Sequence, residues 1–148
     1  MKIRKLDVYD HGMILDLDAL VFAAAPPDVG EHTAWWVVFD EDGAPVAYAG
    51  AMLWEPDDAV YLHRAGVLPR ARGLGLQRRM IRVRERWGRA NNARAAYTYT
   101  AATNTVSANN LIRCGYRLWT PSHWGGSRNP TRADADGIAW LYWLRTLE

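Results

Sequence analysis

The chain has 148 residues, 49% of them hydrophobic, and a formal net charge of +2. That length suits one domain with its own core, and that hydrophobicity excludes a disordered polar segment. No apolar run approaches the ~20 residues of a membrane helix, and the start, MKIRKLDVYD, lacks the apolar centre of a signal peptide. The single cysteine, Cys114, excludes an internal disulfide framework, reads as a small packing residue and points to a reducing cytoplasm. His11, His32, His63 and His123 show no metal-ligand spacing, so no metal is expected. Charge is uneven: Arg70–Arg94 holds nine arginines against one acid, Glu85, which marks where an anionic partner sits.

In chain order, Lys2–Leu6 reads as a strand. Asp10–Leu20 carries a helical stripe of Met13, Ile14, Leu17 and Leu20. Ala23–Gly30, with Pro26 and Pro27, reads as a loop. Trp35–Phe39, Pro45–Leu53 and Val60–Val67 form an antiparallel meander. Its first turn is Glu41-Asp42-Gly43, where Asp-Gly supplies the positive φ of a hairpin. Leu76–Ala90 is a helix whose expected buried stripe is Leu76, Met80, Val83, Trp87 and Ala90. Arg78, Arg82, Glu85, Arg86 and Arg89 are expected outside. Ala95–Thr100 is a strand, and a helix capped by Thr105 or Ser107 runs to Cys114 with Gly115 as its left-handed terminus. Tyr116–Thr120 is a strand, Pro121–Gly137 a long polar loop, and Ile138–Leu144 the closing strand. This order predicts a single α/β (α+β) domain over residues 1–148, a mixed, mostly antiparallel sheet with helices on both faces.

The segment with most chemistry is Val67–Met80, VLPRARGLGLQRRM. A strand runs through a basic glycine loop into a helix, and free amides at a helix start favour an anion. Gly73 and Gly75 permit unusual dihedrals and close approach by a phosphate, while Arg70 and Arg72 add charge. A pyrophosphate is the natural guest. A Walker loop is excluded because no Lys-Ser or Lys-Thr follows. A dinucleotide fingerprint is excluded because Arg78 stands where its third glycine belongs.

The R-x-x-G-x-G of Arg70, Gly73 and Gly75, together with Asn104, Ser107 and the Gly115-Tyr116 that ends the later helix, resembles the GNAT superfamily of acetyl-CoA-dependent N-acetyltransferases. The resemblance implies acetyl-CoA as cosubstrate and an amine acceptor as partner. It implies that backbone groups of Ala65 and Val67 pair with the pantetheine arm. The amides of Arg72, Gly73, Leu74, Gly75 and Leu76 then take the pyrophosphate, Arg70 positions the loop, and the Asn104 side chain bonds the cofactor arm. Asn109 either reaches the cofactor or faces solvent.

The chain departs from the family at Leu111, seven residues after Asn104, where many members carry a tyrosine acid. No carboxylate stands at the end of the preceding strand, which holds Tyr97, Tyr99 and Thr100. The candidate base is then His63, expected to titrate between about pH 6 and 8, or a water ordered by Tyr61 or Tyr99. Glu55 is a further candidate, and Tyr116 either belongs to the core or faces the thiol. Trp119–Asn129, alternating aromatic and small residues, reads as an acceptor-side wall. The expected function is acetyl transfer to a primary amine, with a homodimer as a further expectation. Two alternatives stand beside it: an idle acyl-CoA-binding protein, suggested by Leu111, and a nucleic-acid-binding module on the Arg82–Arg94 face.

Overall fold

The structure, a computed structural model, describes residues 1–22, 25–119 and 139–147. Its elements are β1 (Lys2–Lys5), α1 (Gly12–Val21), β2 (Ala34–Phe39), β3 (Pro45–Trp54), β4 (Ala59–Val67), α2 (Leu76–Ala90), β5 (Ala95–Ala101), α3 (Thr105–Arg113), β6 (Arg117–Leu118) and β7 (Trp140–Thr146). They build one seven-stranded sheet in the order β1-β2-β3-β4-β5-β7-β6. Every pair is antiparallel except β4 and β5. The Pro121–Gly137 loop and nearly all of Trp119–Asn129 lie outside the described residues. Among the described residues no helix is long and apolar enough to cross a membrane.

The strand β2 shows why the sheet is covered twice. Its sequence, AWWVVF, is apolar throughout, and alternate residues enter different cores. Trp35 and Val37 pack with Tyr48, Ile14 and Leu17 beneath α1. Trp36 joins Val60, Leu62, Ala96, Ile81 and Leu111 beneath α2 and α3, while Val38 packs with Leu76 and Met80 of α2. Helices therefore flank the sheet on both faces, as the order of elements requires.

The helix α2 corrects its expected stripe. Buried residues are Leu76, Met80, Ile81, Arg84, Glu85 and Gly88, whereas Val83 and Trp87 are half-buried and Ala90 is exposed. Glu85, expected outside, has no exposed surface. It accepts from Arg82 at 3.0 Å, Arg145 at 2.6 Å and the Tyr116 hydroxyl at 2.8 Å. The helix is covered on a second side by the Tyr116 segment and β7, and three donors offset the desolvation of the carboxylate. Tyr116 is thereby a core residue, its hydroxyl committed to Glu85 and its ionisation pushed up by burial.

Gly88 lets α2 lie close on the sheet. An added Cβ would meet Val60 Cγ1 at 2.7 Å and Val60 Cβ at 3.0 Å. Gly88→Ala is expected to destabilise by ~1–3 kcal/mol through overpacking, more than the ~1 kcal/mol that alanine contributes to helix propensity. Urea unfolding checks this, and the penalty should shrink when Val60→Ala opens the space.

Two smaller corrections concern α3. Its cap is Asn104, whose side-chain oxygen accepts from the Ser107 amide at 3.2 Å, and not Thr105 or Ser107. A side chain one position earlier reaches the same first-turn amide. Gly115 has φ +92°, the left-handed terminus expected of it, and Cys114 is buried.

Candidate functional site

The sheet opens between its two parallel strands. β4 and β5 pair only at Ala59–Ala95, Val60–Ala96 and Tyr61–Tyr97. Beyond that point β5 continues along β7 to Ala101, while β4 stays with β3 to Val67. The Thr98 hydroxyl donates to the Leu62 carbonyl at 2.8 Å, closing the vertex of the split. A β-bulge accompanies the divergence. Ala49 pairs with Ala65 but Ala51 with Leu62, so His63 and Arg64 together oppose Gly50. Two residues against one bend a strand. The result is a cavity of about 360 Å³ lined by Tyr61, Leu62, His63, Arg64 and Ala65 on one side and by Thr98 to Ala101 on the other.

At the outer end of β4 lies the glycine loop. A single 3-10 turn, Pro69–Ala71, leads to Gly73 at φ +80° and Gly75 at φ +74°, and α2 begins at Leu76. A Cβ at Gly73 would meet nothing within 4 Å, so its glycine is required by the backbone and not by neighbouring atoms. No side chain caps α2. Among the described residues the amides of Gly73, Leu74, Gly75 and Leu76 take no backbone partner, and unpaired amides at a helix start favour an anion. The Arg72 amide is spent on Pro69 O at 3.3 Å, and its Nε donates to Val67 O at 3.2 Å. Arg70 pairs with Asp40 at 2.9 Å, which links the loop to the β2–β3 hairpin.

The start of α3 forms another wall. Asn104, Ser107 and Leu111 line the cavity together with Gln77 and Ile81 of α2. Asn110 donates to Gln77 at 2.8 Å, and Gln77 donates to Ser107 at 3.0 Å, tying α3 to α2 across the opening. Asn109 is exposed and lines no part of the cavity. Val67 also lies outside its lining, whereas Ala65 is within it.

On the α1 side the site is aromatic. Tyr61 stacks with Tyr97 at 5.2 Å and with Tyr99 at 5.9 Å, and Trp140 meets Tyr99 edge-on at 5.2 Å. Arg64 lies over the Phe22 ring and is held by Asp18, which also accepts from the buried Tyr48 hydroxyl. Glu55 sits in an exposed turn after β3 and does not line the cavity.

His63 lies among these groups, between the rings of Trp35 and Tyr61, with Nε2 buried and unbonded among the described residues. Its pKa is pushed down to about 4, first by burial and then by Arg64, with a weaker push from Arg84; Asp28, and less strongly Asp18, oppose the shift. The expectation that it titrates between pH 6 and 8 is therefore corrected: it is neutral throughout that range. The consequence for stability has a definite sign. Between pH 6.5 and about 4 the unfolded chain binds a proton on His63 that the folded chain refuses, so stability falls as pH drops through that window. The shift corresponds to ~3 kcal/mol. Urea unfolding of the wild type and His63→Gln from pH 7 to 4 should show a shallower decline in the variant.

The family model described as the acetyltransferase (GNAT) family matches residues 9–116. The chain belongs to that family. No curated protein sequence matches it significantly. Among solved structures, the GNAT phosphinothricin acetyltransferase from Sinorhizobium meliloti, solved in complex with AcCoA, superposes with a TM-score of 0.75 at 18% identity. That match covers 99% of this chain and 88% of that one. A ribosomal-protein-alanine N-acetyltransferase from Brucella melitensis gives 0.74 at 17%, covering 99% and 100%. Mutant forms of the spermidine/spermine N-acetyltransferase from Vibrio cholerae give 0.71 at 13%, covering 99% and 94%. At these identities the likeness is one of fold.

Among the residues this GNAT site brings together, Gln77, Arg64, Thr98 and Arg84 were not expected from sequence. Only Arg84 left a signal: it is four residues after Met80, on the buried side of α2.

Proposed function

We propose that this chain transfers an acetyl group from acetyl-CoA to a primary amine. The observation that carries the reading is the split between β4 and β5 with an uncapped, glycine-led helix start at its rim. The pyrophosphate takes the amides of Gly73 to Leu76, and the pantetheine arm runs along the backbone of Ala65 and Val67 into the cavity. Asn104 bonds that arm from the α3 side, with Gln77 and Ser107 beside it.

The acceptor's nitrogen enters from the aromatic side, past Tyr61 and Tyr99, and attacks the thioester carbon. The C–S bond breaks with its electrons on sulfur, the ammonium gives a proton to a water ordered by Tyr61 or Tyr99, and the thiolate takes one from solvent. Leu111 donates nothing, and the low pKa of a thiol, ~8.5, makes departure as thiolate tolerable. His63, neutral in this range, acts as a wall and weak acceptor. A reducing cytoplasm suits the single buried Cys114.

The test is calorimetry with acetyl-CoA, followed by thiol release in the presence of a panel of aliphatic, aromatic and peptide amines. Binding with turnover of any amine supports the proposal. Binding with none leaves the idle acyl-CoA-binding reading, which Leu111 favours, and no binding overturns both.

A further inference from the structure

Arg84 is the residue whose placement the fold alone does not explain. Its side chain is 3% exposed, in the middle of α2, yet it lines the cavity. Among the described residues it has no ion-pair partner, because the adjacent Glu85 is engaged by Arg82 and Arg145. It donates instead to three carbonyls: Nε to Met80 O at 3.2 Å, and Nη1 to both Gly50 O and His63 O at 3.0 Å. Gly50 and His63 are two of the three residues, with Arg64, that the β3–β4 register slip takes out of the ladder. A buried cation is costly, and a leucine would fill a helix-to-sheet contact without that cost.

We propose that Arg84 is a positioning residue of the transfer site: it fixes the β4 bulge through the Gly50 and His63 carbonyls and sets a permanent positive charge in the cavity wall that also holds Leu111. This rests on the acetyl-transfer reading. As the amine attacks, negative charge grows on the carbonyl oxygen and then on the departing sulfur. No group at Leu111 neutralises it with a proton. A fixed cation in a water-poor wall stabilises that charge without reorganising, and Nη2 of Arg84 is the nitrogen its three carbonyls leave unused. Burial lowers the guanidinium's pKa to about 10, so it stays charged at neutral pH. The same charge, with that of Arg64, opposes protonation of His63, while Asp18 and Asp28 favour it.

Three variants separate the bulge from the charge: Arg84→Met removes both, Arg84→Gln keeps a donor, and Arg84→Lys keeps the charge. Three quantities are read: acetyl-CoA affinity by calorimetry, kcat and KM with an amine the wild type acetylates, and the His63 ring-proton titration by NMR without acetyl-CoA. The expected result is a loss of at least about tenfold in kcat for Arg84→Met and Arg84→Gln, with affinity for acetyl-CoA changed less than about threefold. Arg84→Lys should recover most of the rate. The His63 midpoint should rise in Met and Gln and stay low in Lys. If Arg84→Met does not fold, the comparison of Gln with Lys carries the same distinction. Equal losses in Lys and Gln, an effect confined to affinity, or an unmoved His63 midpoint overturns the proposal. Failure of the wild type to bind acetyl-CoA or acetylate any amine would instead overturn the acetyl-transfer reading, and the His63 titration would still show whether Arg84 charges this wall.

Discussion

Gly75→Glu should abolish acetyl-CoA binding while leaving the fold intact. Gly75 sits at φ +74°, immediately before the first turn of α2, and the nearest atom to an added Cβ is the flexible Arg78 Nη2 at 3.7 Å. The new side chain therefore finds room in the protein, and the strain of a positive φ costs ~1–2 kcal/mol. What it damages is the anion position. A carboxylate there competes for the amides of the loop and repels a pyrophosphate. The expected loss of affinity is at least ~100-fold, or ~2.7 kcal/mol. Gly75→Ala should lose less, because it brings the backbone strain and a methyl group but no charge. Calorimetry on both, with circular dichroism to confirm folding, checks the assignment; wild-type affinity in a folded Gly75→Glu protein would remove the loop from the binding site.

Glu85→Ala should give a large loss of stability. Glu85 is fully buried and accepts from Arg82, Arg145 and Tyr116, so it joins α2 to the residues after α3 and to β7. Deleting it leaves the buried Tyr116 hydroxyl and the largely covered Arg145 without their acceptor. Arg82 is about half exposed and finds water instead. Removing one partner of a buried charged network costs ~3–5 kcal/mol, and the access of Arg82 to water places this case near ~3 kcal/mol. Glu85→Gln retains one acceptor oxygen and should lose about half as much. Thermal unfolding gives the ordering: wild type above Gln above Ala, with Ala lower by ~6–12 °C in Tm. A Glu85→Ala protein as stable as the wild type would mean the network contributes nothing net.

Glu85 also shows where reading from sequence stops. The α2 boundaries, Leu76–Ala90, are legible because a glycine pair starts the helix and Asn91-Asn92 ends it. Its buried face is less so. Apolar periodicity places Leu76 and Met80 correctly but assigns Glu85 to solvent by its charge and gives Arg84 no place on either face. Whether a charged side chain is outside depends on partners such as Arg145, which lies sixty positions later in the chain. His63 fails for a related reason. Its residue type suggests a base near neutrality, but burial first and Arg64 next lower its pKa, and the burial depends on residues from other elements such as Trp35.

What the sequence by itself determined is local or periodic. The meander β2–β4 follows from apolar runs broken by Asp-Gly and by the Glu55–Asp58 turn, and the glycine loop follows from Arg70, Gly73 and Gly75. These features depend on neighbouring φ and ψ angles, which nearby residues fix. The tertiary structure decided the split between β4 and β5, the bulge that sets His63 and Arg64 against Gly50, and the burial of Arg84 behind it. Those depend on which strands meet and where their ladders stop. No single stretch of sequence holds that information, because each hydrogen bond involved has its two ends in different elements.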